Sequence, residues 1–67
     1  MKTFGESLKE LRIEKGLTQK ALAQEVSVTV PTLSHWECGY QEPSFKDLIV
    51  LCKYFEVTAD YMLGLSD

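Results

Sequence analysis

Five hydroxyl side chains divide this chain, and their placement constrains its fold more than any other feature. Thr3, Thr18, Thr29, Ser44 and Thr58 each stand just before a run with helical character. A Ser or Thr in that place accepts a hydrogen bond from an amide that the first helical turn leaves unpaired. Thr3 is followed three residues on by Glu6, and Ser44 by Asp47, so two of the five resemble capping boxes. After Thr3, the residues Phe4, Leu8 and Leu11 repeat at helical spacing, and Gly16 after Lys15 is a stop. Thr18 opens a second helix through Leu22, Ala23 and Val26. Thr29 opens a third, with Pro31 in its first turn, where a missing amide proton costs little, and Gly39 at its end. The stretch "GYQEP" is a turn-rich connector. In the fourth helix, "SFKDLIVLCKYF", Leu48, Leu51, Cys52 and Phe55 share one stripe. Its run "LIVLC" imitates a strand but sits inside the longer helical period. Thr58 caps a last short helix in "ADYMLGL". The expected fold is a compact, all-α, five-helix domain spanning residues 1–67.

A chain of 67 residues makes one domain and buries only about 60% of its unfolded surface. Such a domain needs efficient packing, a metal, a cross-link or a second copy. Hydrophobic residues at 45% and charged residues at 25% argue for a folded globule. Cys38 and Cys52 are too few for a disulfide framework and read as reduced thiols of a cytoplasmic protein. No run approaches the ~20 apolar residues of a membrane helix, so no membrane role is expected. The start "MKTFGESLKE" does not read as a secretory signal. A net charge of −3 counts against a strongly basic nucleic-acid binder.

Residues 18–39, "TQKALAQEVSVTVPTLSHWECG", place two short helices a few residues apart, with the small Ala23 where they crowd. This suits two helices meeting steeply, although any corner of two helices has a similar pattern. Together with "LRIEKGLTQKALA", Pro43, the apolar fourth helix and "VTADYML", the stretch from Leu8 to Leu65 resembles the phage-repressor and Cro-like helix-turn-helix family, also called the xenobiotic-response-element type. The spacing of Thr18-Gln19, Ala23, Leu33, Glu37 and Gly39 carries the resemblance over nearly the whole chain. It implies a lambda-repressor-like DNA-binding domain with the helix-turn-helix at helices two and three, and the third helix in the major groove of double-stranded DNA.

At about 100° per residue, Leu33 and Trp36 lie on one side of the third helix, with Glu37 near its edge. Pro31, Thr32, Ser34, His35 and Cys38 occupy the rest, with Val30 at the border. The alternatives are a solvated face or a face that reads DNA, and the resemblance favours the second. Val30 and Pro31 then contact a thymine methyl, His35 donates to guanine N7 or O6 or to a phosphate, and Ser34 contacts a base with less discrimination. For phosphate, the expected residues are Thr18, Gln19 and Lys20 at the second helix, Thr29 and Thr32 at the third, Tyr40 and Gln41 in the connector, and Lys46 at the fourth helix. Each is otherwise a solvated surface residue. The resemblance makes Gln19 similar to a glutamine that grips a phosphate. It makes Arg12 and Glu37 a buried pair joining the first helix to the third. Two departures stand out. Ser27 occupies a turn position where the family has glycine, and Val30-Pro31 stand where polar or basic side chains are common. Glu6, Glu10 and Glu14 repeat on the first helix, away from the proposed groove face.

Other chemistries fare worse. His35, Cys38 and Cys52 are too few for a structural zinc site, which takes four ligands in recognisable pairs, and the resemblance puts Cys52 in a core stripe; no metal or cofactor is expected. One histidine, no glycine-rich phosphate loop and dispersed carboxylates point away from an enzyme. The rival is a protein-interaction module of the same fold with weak or no DNA binding. Val50, Tyr54, Tyr61 and Met62 exceed what one small core requires. They are either internal packing or the interface of a homodimer, and the dimer is the reading adopted. The expectation is a dimeric transcriptional repressor on a near-palindromic operator, with a regulatory protein partner as a further possibility.

Overall fold

The computed structural model describes residues 2–65. Five helices follow one another: α1 (Phe4–Glu14), α2 (Gln19–Glu25), α3 (Val30–Glu37), α4 (Phe45–Phe55) and α5 (Ala59–Met62), with no strand among the described residues. The hydroxyls of Thr3, Thr18, Thr29, Ser44 and Thr58 each accept the amide three residues on, at Glu6, Ala21, Thr32, Asp47 and Tyr61. The box at α1 closes reciprocally, because Glu6 also accepts the Thr3 amide at 3.0 Å. At α4 the Asp47 carboxylate takes the Ser44 hydroxyl at 3.0 Å. Aspartate is one methylene shorter than glutamate, and only the hydroxyl half of that second box forms.

The core gathers Leu8 from α1, Leu22 and Ala23 from α2, Val26 just beyond it, Leu33 and Trp36 from α3, Leu51 from α4 and Met62 from α5. Phe4 sets its ring edge-on to Trp36, with centroids 6.5 Å apart. Leu48, Cys52 and Phe55 flank Leu51 on the inner side of α4. α3 packs against both α1 and α2, while α5 bridges α1 and α4. Gly5 is buried at the place where α1 crosses the end of α3.

Met62 corrects one expectation. It is fully buried, at 0% exposure, and so is unavailable as a dimer contact. α5 has a single turn, and Met62 is the side chain it inserts into the core.

The turn between α2 and α3 holds Ser27 in the left-handed region at φ 60°, and the Val28 amide returns to the Ala23 carbonyl at 2.9 Å. Glu56, which ends α4, takes the same conformation at φ 57°.

Candidate functional site

Three helices are tied together beneath the outer face of α3. Arg12 on α1 donates Nε to Glu37 Oε2 at 2.7 Å and Nη2 to Glu37 Oε1 at 3.1 Å. The Arg12 side chain is 12% exposed and that of Glu37 4%. A buried carboxylate needs such a fork, because its desolvation is otherwise uncompensated. Arg12 Nη1 also donates to the Leu17 carbonyl at 2.9 Å, which fixes the loop leading into α2. From the start of α2, Gln19 Nε2 donates to Glu37 Oε1 at 3.2 Å. Gln19, expected only at phosphate, therefore also joins α2 to α3, while its second amide hydrogen and its carbonyl keep their capacity for a partner.

Above that network α3 turns Leu33 and Trp36 inward and presents its other side. Val30 is 39% exposed, Pro31 is exposed, and Ser34 and His35 are half-buried. Thr29 and Thr32 form one unit, their hydroxyls 2.8 Å apart and the Thr32 amide on the Thr29 hydroxyl. At the other end of the helix, the Tyr40 and Gln41 amides both donate to the His35 carbonyl, at 2.9 and 3.2 Å. The Tyr40 ring lies against His35 with centroids 4.9 Å apart.

At the rim, Thr18 caps α2 and its hydroxyl accepts the Ala21 amide at 3.0 Å. Lys20 in the first turn of α2 and Lys46 in the first turn of α4 are exposed and pair with no described acid. The remaining amides at these helix starts and the two ammonium groups suit anionic oxygens.

Two acids stand beside these groups, Glu42 in the connector after Gln41 and Asp47 in the first turn of α4 after Lys46. Glu6, Glu10 and Glu14 are all exposed on α1, where Glu10 pairs with Lys2. Hydrogen bonding to Glu10 holds the Lys2 ammonium above its ordinary pKa. The Thr3 amide and hydroxyl hold the Glu6 carboxyl below the usual carboxylate value. Burial pushes the Cys52 thiol up, which keeps it protonated beside the core. Cys38 is exposed, its Sγ 3.6 Å from the His35 carbonyl. No three His, Cys, Asp or Glu side chains gather into a metal-holding group among the described residues.

Of the remaining dimer candidates, Val50 (38%) and Tyr61 (36%) are exposed. Tyr54 is half-buried, edge-on to Phe55 and beneath the Lys15 ammonium, 4.3 Å from its ring centroid. Sequence reasoning missed Phe45, which at 86% is the most exposed large apolar side chain among the described residues. It opens α4 in line with Leu48 and Cys52, so helical period points it inward and gave no signal of its exposure.

Residues 8–62 match a family described as Helix-turn-helix. The HTH-type transcriptional regulator ImmR of Bacillus subtilis (strain 168) is 36% identical over 65 residues, which cover 97% of this chain and 51% of that protein. The uncharacterized HTH-type transcriptional regulator YqaE of the same organism is 38% identical over 60 residues, covering 90% of this chain and 52% of that protein. The chain spans about half the length of these curated relatives. The P22 c2 repressor, solved in complex with a synthetic operator, matches with a TM-score of 0.90 at 29% identity, covering 98% of this chain and 100% of that one.

Proposed function

Because the chain belongs to the Cro/C1-type helix-turn-helix family, we propose that it binds double-stranded DNA as a dimeric transcriptional repressor in the cytoplasm. α3 enters the major groove and reads base edges with Val30, Pro31, Ser34 and His35. Thr18, Gln19, Lys20, Thr29, Thr32, Tyr40, Gln41 and Lys46 hold the phosphates. The observation that carries this reading is the clamped presentation of α3. Its inner side is locked by Leu33, Trp36 and the Arg12–Glu37–Gln19 network, while its outer side stays open and the first turns of α2 and α4 carry exposed lysines. A rigid helix with an open outer face is what base readout requires, because ordering the reader on binding would cost affinity. The P22 c2 repressor, a chain of the same shape, is solved in complex with a synthetic operator, which supports DNA binding by this chain.

The net charge of −3 is offset in part by placement, since Glu6, Glu10 and Glu14 share α1, although Glu42 and Asp47 adjoin Gln41 and Lys46 and location decides phosphate contact. The interface is nonetheless thinly basic. A second copy, docked through the exposed Val50 and Tyr61, doubles it and presents two copies of α3 to a near-palindromic site. Four lysines in the dimer then give a logarithmic salt slope of roughly −4.

Selection from a random double-stranded pool, followed by salt titration of the winning sequence, tests the reading. The expected result is a near-palindrome with half-sites about one helical turn apart, bound far more tightly than scrambled DNA. No enrichment by the folded protein at low salt overturns it. That outcome favours a protein-interaction module in which Val30 and Pro31 meet a protein partner. Concentration-dependent melting tests the dimer, and a monomer at high micromolar concentration overturns that part alone.

A further inference from the structure

The end of α3 holds an arrangement that the roles above leave unused. Gly39, at φ 81°, reverses the chain so that the Tyr40 amide meets the His35 carbonyl at 2.9 Å and the Gly39 amide meets the Trp36 carbonyl at 3.3 Å. These two bonds form a Schellman motif, which folds the second residue past the cap over the third residue from the helix end. Here the two residues are Tyr40 and His35, and their rings pack at 4.9 Å with 54° between planes. The contact is uneven. Tyr40 is 80% exposed, whereas His35 is half-buried. A surface imidazole ordinarily samples several staggered rotamers, and a ring fixed against one side of it removes those that lean that way.

We infer that Tyr40 is a positioning residue for His35: its ring holds the imidazole edge that reads a base pair, so that discrimination at that pair depends on a residue that touches no base. The inference rests on the proposed function, in which His35 reads a base. It divides Tyr40 into two separable parts. The hydroxyl is available to a phosphate, which carries no sequence information. The ring acts on specificity through His35. The backbone bonds to the His35 carbonyl do not involve the Tyr40 side chain, so substitution there leaves the turn in place and removes only the ring.

Three variants separate these parts. Tyr40→Phe keeps the ring and drops the hydroxyl, Tyr40→Ala drops both, and Tyr40→Lys exchanges the ring for a phosphate-binding cation. In the free protein, proton NMR is expected to show His35 ring protons displaced by the Tyr40 ring current in the unsubstituted chain and in Tyr40→Phe, and released in Tyr40→Ala and Tyr40→Lys. On DNA, His35→Ala first identifies the base pair that His35 reads. At that pair, Tyr40→Ala and Tyr40→Lys are expected to lose discrimination by about tenfold, with preferences elsewhere unchanged, while Tyr40→Phe retains it. Tyr40→Lys combines this loss with tighter overall binding and a steeper salt slope.

Unchanged discrimination in Tyr40→Lys, where His35→Ala loses it, overturns the positioning role and leaves the DNA-binding reading intact. Equal weakening at every base pair does the same, as does the absence of a ring-current shift in the unsubstituted protein. A folded, unsubstituted protein that prefers no sequence sinks the proposed function itself, and the positioning role with it.

Discussion

Gly5 lies so close to the backbone of Glu37 that a β-carbon at residue 5 would stand 2.5 Å from the Glu37 carbonyl oxygen. The Trp36 carbonyl would be equally near, at 2.5 Å. Both obstacles are backbone, so neither can swing away. Gly5→Ala must therefore push α1 off the end of α3, an overpacking that costs about 1–3 kcal/mol. In a domain of this size each kcal/mol lowers the melting midpoint by roughly 4–8 °C. Gly16→Ala is the control. It meets nothing within 4 Å but sits at φ +74°, and its penalty is the local backbone cost alone, about 1 kcal/mol. Thermal melts of the two variants check the close approach. An unshifted midpoint for Gly5→Ala would show that α1 does not rest on α3 there.

The Arg12–Glu37 pair gives a second stability prediction. Glu37→Ala leaves a guanidinium that is only 12% exposed without its carboxylate, and releases the Gln19 amide as well. The expected loss is on the order of 3–5 kcal/mol, whereas the apolar double replacement Arg12→Met with Glu37→Leu recovers most of it. Urea unfolding of the single and double variants reads both effects. A single-variant shift within the ±0.5 kcal/mol or so of an ordinary surface substitution would remove the pair from any structural role.

What the sequence revealed divides along the range of the forces involved. The caps at Thr3, Thr18, Thr29, Ser44 and Thr58 were legible because each acts on an amide three residues away. The inward stripe of Leu48, Leu51, Cys52 and Phe55 was legible because helical period alone fixes it. Gly5 was not, because its reason lies far along the chain, in the backbone of Trp36 and Glu37. Met62 was misplaced because a single helical turn is too short for periodicity to tell its buried side from its exposed one. Glu56 carried no sign of a left-handed backbone, since a non-glycine there violates the local preference that a reader relies on. At the site, the paired roles of Arg12 and Glu37 came only from family resemblance. The Tyr40–His35 contact was in principle readable, because Gly39 at a helix end implies that the next residue folds back.

Two residues in this fold pay for conformations that glycine adopts freely. Ser27 at φ 60° and Glu56 at φ 57° both carry a β-carbon in the left-handed region. Ser27→Gly and Glu56→Gly are each expected to stabilise the domain by about 1 kcal/mol, after the extra unfolded-state entropy of glycine is set against the relieved strain. Glu56→Gly also removes a negative charge from the C-terminal end of α4, where the helix dipole disfavours it. Denaturant midpoints measured side by side check this. A loss of stability in either variant would mean that the serine or glutamate side chain contributes more than its strain costs.

Acid sensitivity follows from the α1 cap. The Thr3 amide and hydroxyl hold the Glu6 carboxyl below its ordinary pKa. A carboxyl depressed in the folded state contributes stability fully above its unfolded pKa and loses it as pH falls through the folded one. Glu6→Gln retains an oxygen for the Thr3 amide but cannot titrate. The stability gap between the unsubstituted protein and Glu6→Gln is therefore expected to shrink as pH drops below the ordinary carboxylate value of about 4.3. Melting curves across that interval supply the measurement, and a gap that stays constant into acid would dissociate the cap from Glu6 ionisation.

Under the proposed function, Val30 supplies the sharpest test of how an acidic chain gains specificity. It opens α3 with 39% of its surface exposed, and its methyl groups cannot hydrogen-bond a base but can cover a thymine methyl. Burying one such group contributes about 0.8 kcal/mol, which is roughly fourfold in affinity. Replacing that thymine by deoxyuridine, which lacks only the methyl, is expected to weaken the unsubstituted protein by about that factor and to leave Val30→Ala nearly unaffected. Binding titrations of the two proteins on the two DNAs close the comparison. Equal sensitivity of both proteins at every thymine would show that Val30 stands clear of the bases, and base readout would then fall to Ser34 and His35.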